Sequence, residues 1–297
     1  PRSTLFPYTT LFRSPCRWAW NRNSVSVYSQ GKREMPSATI NGVELYYETH
    51  GSGPPLMLVA GLASDSQSWQ PVVAGLSQKY FLILPDNRGA GRTRPSETGG
   101  DIQQMADDCV ALLRHLDLPP VHLLGHSMGG FIALDCAIRH PGQFRNVILA
   151  ATSASNSERN NVLMHDWVAY LESGMDLESW FRNLFYWIFT KRFFQDKDLL
   201  NSALQYAISY PYPQSKTAFK NQVNAISQFN CRPNLADIPL KTLVLCGQED
   251  LLFPPQEASV LKAIPGAVFS IVEDAAHSIH MECPEAFIGH VLQFLET

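Results

Sequence analysis

Ser127 stands in the run VHLLGHSMGG, residues 121–130, where an apolar stretch breaks into glycine, histidine, serine and a glycine pair. A serine hydroxyl is a weak nucleophile by itself. It becomes a strong one when a base takes its proton and a third group orients that base. Two later segments hold such groups. CGQEDLLFPP (246–255) carries Glu249 and Asp250, and VEDAAHSIHMECPEAF (272–287) carries His277 and His280. His277 follows two small alanines in a short loop, which favours it as the base, while His280 reads as a residue that lines or packs the loop. The residues alone leave both carboxylates open as the orienting acid. His126, beside the serine, reads as a packed neighbour turned away from it. Attack on a carbonyl would also need N–H donors for the oxyanion. The backbone N–H of Met128 is the first candidate, and that of Leu62, after Gly61, is the second.

These groups need elements that aim them. Gly125, Ser127 and Gly129 form G-x-S-x-G, with the apolar run VHLLGH before it and the helical pattern MGGFIALDCAIRHP (128–141) after it. A sharp strand-to-helix turn strains the central residue and demands small neighbours. The helix N-terminus then faces any anion formed there. Short apolar runs at 54–61, 79–86, 120–126, 145–152, 241–247 and 267–273 predict strands buried on both faces. Residues 37–51 alternate around Asn41-Gly42, a hairpin signal. Helical spacing at 101–117 and 284–296 alternates with the strands. The predicted class is α/β, a mostly parallel sheet flanked by helices on both faces. The glycine-rich DNRGAGRT (86–93) lacks the G-K-[ST] ending of a phosphate loop, so Asp86 and Arg88 are expected to tie it down by hydrogen bonds. Trp69 is expected to anchor the start of a helix by packing.

The alternation stops between about 153 and 236. That stretch reads as successive helices broken near Ser173-Gly174, Gln195 and Pro211–Pro213, and it is rich in aromatic residues. The rings could form the core of a cap or line an apolar part of a substrate site, and the sequence does not separate these.

Residues 1–34 follow no helical or strand period. Thr4–Ser14, TLFPYTTLFRS, is the translation of a common sequencing adapter, so this head is expected to be non-native or disordered, with Met35 as the true start. A chain begun at Met35 is expected to keep its activity. The expected organisation is then 1–34 head, 35–152 core, 153–236 helical cap and 237–297 core. The 297 residues carry a net charge of −4, and the head holds six basic residues against one acid, so the remainder is more acidic still. That balance excludes nucleic acid as a natural partner. No apolar run reaches membrane-spanning length. The six cysteines show no C-x-x-C or zinc-finger spacing and are expected as buried thiols in a reducing, cytoplasmic compartment.

VAGLASDSQSW, DNRGAGRT, GHSMGG, GQEDLLFPP and AAHSIHMECPEAF together resemble the α/β-hydrolase superfamily over about residues 37–297. They look most like small capped esterases and lactonases, oxoadipate enol-lactonases among them. The resemblance implies an eight-stranded sheet with a helical cap inserted after the sixth strand, and neither cofactor nor metal. It also selects Asp250 as the acid, through the spacing Gly247, Asp250, Pro254, and implies the chain order Ser127, Asp250, His277. The implied activity is hydrolysis of a carboxylic ester or lactone of a small molecule with an apolar portion, through an acyl-enzyme. The alternatives are C–C bond hydrolysis or cofactor-free perhydrolysis by the same residues, and a non-catalytic ligand-binding protein on this fold. Three positions depart from relatives. Ala60-Gly61 stands where many carry His-Gly. His126 stands where ring-fission hydrolases carry Asn. Ser127 replaces the Asp of dehalogenases and epoxide hydrolases.

Overall fold

The computed structural model describes residues 36–297, so the expectations for residues 1–34 lie outside the described residues. Strands β1 (Ser37–Ile40) and β2 (Val43–His50) pair antiparallel around Asn41 (φ 45°) and Gly42 (φ 83°). Positive φ at both central residues matches the right-handed twist of the flanking strands. The other strands are β3 (Pro55–Val59), β4 (Phe81–Pro85), β5 (Val121–His126), β6 (Phe144–Ala150), β7 (Lys241–Gly247) and β8 (Val268–Val272). They form one eight-stranded sheet in the order β1-β2-β4-β3-β5-β6-β7-β8. All pairs beyond β2·β4 are parallel.

The helices are α1 (Gln70–Leu76), α2 (Ile102–His115), α3 (Met128–Arg139), α4 (Glu158–Glu172), α5 (Leu177–Ile188), α6 (Lys191–Gln195), α7 (Lys197–Ile208), α8 (Lys216–Gln228), α9 (Pro255–Ala258), α10 (Ile279–Glu282) and α11 (Pro284–Leu295). Successive strand residues point to opposite faces. Met57, Val59, Leu123, Val147, Leu149 and Val244 therefore pack with α2 and α3. Leu56, Leu58, Leu124, Ile148, Leu243 and Leu245 pack with α1 and α11. Both faces are dry, which is why the strands read as unbroken apolar runs. Each fully buried Leu or Val stabilises by about 1.5–3 kcal/mol.

Helices α4–α8 lie between β6 and β7. The side chains of Ser157, Asp176, Asp196 and Ser215 cap α4, α5, α7 and α8 by accepting a backbone N–H three residues on. Each such cap contributes about 1 kcal/mol. The aromatic residues here are largely used in packing. Phe185, Phe189 and Phe193 form a small core with Leu200 and Leu204. Trp167, Trp180 and Phe219 join the main core beside α3. Tyr186 and Tyr206 remain exposed.

The 86–93 loop is tied down as its composition suggested. Asp86 accepts from the N–H of Ser66 (2.9 Å) and of Arg92 (2.8 Å). Arg88 makes a two-pronged ion pair with buried Asp108 (2.6 and 2.8 Å). Cys109, Cys136, Cys231 and Cys246 are free, buried thiols. Cys283 is disulfide-bonded, which corrects the all-thiol expectation at that position. Among the described residues no helix is long and apolar enough to cross a membrane.

Candidate active site

Ser127 follows β5 and precedes α3 with φ 55° and ψ −119°. That conformation is costly for an L-residue and persists only when its surroundings over-determine it. They do. The Ser127 N–H donates to the Ala150 carbonyl (2.9 Å), and its own carbonyl accepts from the Gly130 N–H (2.8 Å) and the Thr152 hydroxyl (3.0 Å). A methyl group on Gly129 would lie 2.0 Å from the Val59 carbonyl oxygen, and one on Gly125 would lie 2.1 Å from that of Gly129. The glycines of the motif thus let the first turn of α3 rest on the ends of β3 and β5.

Asp250 and His277 meet at the ends of β7 and β8. Asp250 is buried, and its Oδ1 accepts the N–H groups of Leu252 (2.8 Å) and Phe253 (2.9 Å). Its Oδ2 accepts from Nδ1 of His277 at 3.0 Å. Facing a carboxylate, Nδ1 is the donor in this bond. Glu249 is only half-buried, and its backbone N–H bonds to the Ala275 carbonyl. The two loops press together because Gly247 has no side chain. A methyl there would meet the Ala276 oxygen at 2.1 Å.

His126 does more than pack. Its Nε2–H donates to the His277 carbonyl (2.9 Å), and its ring centroid lies 4.9 Å from that of His277. Burial, with the neighbouring His277, drives its pKa down to about 3, so the ring is neutral. His280 is buried against Trp69 (4.7 Å) and His126 (4.6 Å), and burial holds it neutral too. Trp69 is fully buried at the start of α1, as a packing anchor should be.

Met128 directly follows the serine, and Leu62 follows Gly61 on the loop after β3. Met128 opens α3, and a methyl on Gly61 would meet Ser127 Cβ at 3.0 Å. Among the described residues neither N–H is taken by a backbone partner outside its own element. The Asn87 amide donates to the Ala60 carbonyl (3.0 Å) and fixes the loop that carries Leu62. Sequence reasoning missed Asn87, and it also missed Glu282. Glu282 is fully buried, with Oε1 accepting from the Thr190 N–H (2.9 Å) and hydroxyl (2.8 Å) and Oε2 from the Ala276 N–H (2.8 Å). Burial pushes its pKa up to about 7, against the pull of these donors. A lone acid in the apolar SIHMEC was the only signal available. Among the described residues no group of three or more His, Cys, Asp or Glu side chains could hold a metal ion.

A cleft of about 530 Å³ opens between the α5–α6 junction and the loop after β7, lined by Tyr186, Phe189, Phe194, Asp250 and Pro254 among others. Its lining includes neither Ser127 nor His277.

Known proteins resemble this chain over most of its length. The chain is 27% identical over 258 residues to RutD of Agrobacterium fabrum, provisionally named a carbamate hydrolase, covering 84% of this chain and 98% of that one. The enol-lactonase of Burkholderia xenovorans LB400 superposes with a TM-score of 0.80 at 25% identity, over 88% of this chain and all of that one (100%). A thermophilic esterase of Thermogutta terrifontis gives 0.77 at 25% identity, over 88% of this chain and 96% of that one. The sequence model described as alpha/beta hydrolase fold matches residues 54–284, from the start of β3 to the start of α11. It spans Ser127, Asp250 and His277 on the sheet that bears them, and the chain belongs to the α/β-hydrolase family.

Proposed function

We propose that this protein is a serine hydrolase that cleaves a carboxylic ester or lactone through an acyl-enzyme. Ser127 attacks the carbonyl carbon. His277 takes the hydroxyl proton on Nε2, passes it to the leaving oxygen, and then activates the water that releases the acid. Asp250 holds the His277 ring and stabilises its charged form. The N–H groups of Leu62 and Met128 bind the oxyanion. Residues 153–236 act as the cap over this chemistry. The observation that carries the reading is the buried 3.0 Å bond from His277 Nδ1 to Asp250, made while Ser127 is held at φ 55° one residue beyond a histidine that contacts the His277 ring. Lactones, esters and carbamates, the groups for which relatives are named, each present a carbonyl with a heteroatom leaving group, which this arrangement suits.

The test is labelling by a fluorophosphonate probe, with turnover of p-nitrophenyl esters, enol-lactones, carbamates and ring-fission products. Wild-type protein is expected to be labelled and to turn over an ester or lactone. Ser127→Ala should lose labelling and lower kcat by roughly 10⁴ or more. A wild-type protein that is neither labelled nor active on any ester or lactone would overturn the reading.

A further inference from the structure

The loop of His277 is held through one backbone group from each of three consecutive residues. The Ala276 N–H donates to Glu282 Oε2 (2.8 Å), the His277 carbonyl accepts from His126 (2.9 Å), and the Ser278 N–H donates to the Ile188 carbonyl (3.0 Å). Ile188 is the last residue of α5. Two residues on, Thr190 gives both its N–H and its hydroxyl to the other oxygen of Glu282. The loop bearing the base is thus stitched to the inserted helices twice, once directly and once through a single buried carboxylate. All three partners of Glu282 are donors, and its two oxygens accept from every one of them.

Resting on the hydrolase reading above, we propose that Glu282 is a positioning residue. It couples the end of α5 to the loop of His277, so that the base is aimed at Ser127 only while α5 stays docked. A misplacement of about 1 Å in a reacting group lowers rate by as much as about a hundredfold, without any change in the groups that bind substrate. Loss of the coupling should therefore appear in kcat and not in KM.

Steady-state kinetics on a p-nitrophenyl ester, expressed per site titrated with the fluorophosphonate, tests this. Glu282→Gln puts an amide N–H₂ against donors and should lower kcat about tenfold to a hundredfold with KM changed less than about twofold. Thr190→Val removes one donor on the α5 side and should lower kcat in the same way but less. Thr190→Ser keeps the hydroxyl and should restore the wild-type rate. The double variant should be no slower than Glu282→Gln alone, because both changes cut one connection. Wild-type kcat per titrated site in Thr190→Val and in any Glu282→Gln that folds, even with a lowered Tm, would overturn the proposal and leave the hydrolase reading intact. A wild-type protein without labelling or turnover would overturn both.

Discussion

Ser127 is the one described residue whose backbone is strained between a strand and a helix and whose side chain is a hydroxyl, and its neighbours hold it there from three sides. Asp250 is held with equal economy. One oxygen is spent on the backbone of its own loop, and the other is left for His277. Asp250→Asn keeps the volume but turns a donor or a weaker acceptor toward Nδ1, favouring the wrong tautomer of His277. We expect kcat on the best ester to fall by about 10⁴ with the fold retained, read by steady-state kinetics beside circular dichroism. Much of this was legible in sequence. The G-x-S-x-G spacing marks the serine because only glycine tolerates the approach of β3 and α3. The contacts of His126 and Glu282 needed the structure, since the His277 carbonyl and Thr190 lie 151 and 92 residues away.

At the scale of elements, the glycines at strand ends are sites of contact between backbones. Gly129→Ala would drive a methyl into the Val59 carbonyl, whereas a methyl on Gly142 meets nothing within 4 Å. Thermal unfolding should show Gly129→Ala destabilised by about 1–3 kcal/mol or more. Gly142→Ala should be neutral or stabilised by up to about 1 kcal/mol through loss of unfolded-chain entropy. The strands and the helices α2, α3 and α11 were readable because their apolar periods report directly on which face is dry. Helices α4–α8 were readable as helices and breaks, since Gly174 and the capping Ser and Asp residues are local signals. What their aromatic rings pack against was not, because that depends on which helices meet.

For the whole molecule, the question is how the inserted helices are joined to the sheet. Glu282 is one link. A second runs from Tyr210, after α7, whose hydroxyl donates to Asp65 on the loop between β3 and α1. Burial, then the nearby Asp86 carboxylate, raises the Asp65 pKa to about 6 from its ordinary 3.8. The folded protein therefore holds this proton more tightly than the unfolded chain. Its contribution to stability is fully present below about pH 4 and is lost as the pH rises through about 6. Asp65→Asn removes that dependence. Between pH 4 and 7 the stability difference should move in favour of the variant by up to about 3 kcal/mol, measured as Tm or urea midpoint at each pH. No movement with pH would show that Asp65 titrates normally in the folded state.

The sequence by itself determined the order of strands and helices and the strained turn at Ser127. Both are written in local spacing, where periodicity and glycine act within a few positions. Only the tertiary structure decided which nitrogen of His277 faces Asp250, that His126 and Glu282 grip the loop of His277, and that most rings of the inserted helices are consumed in packing. Those outcomes depend on hydrogen bonds and contacts between segments far apart in the chain, and no local pattern encodes such distances.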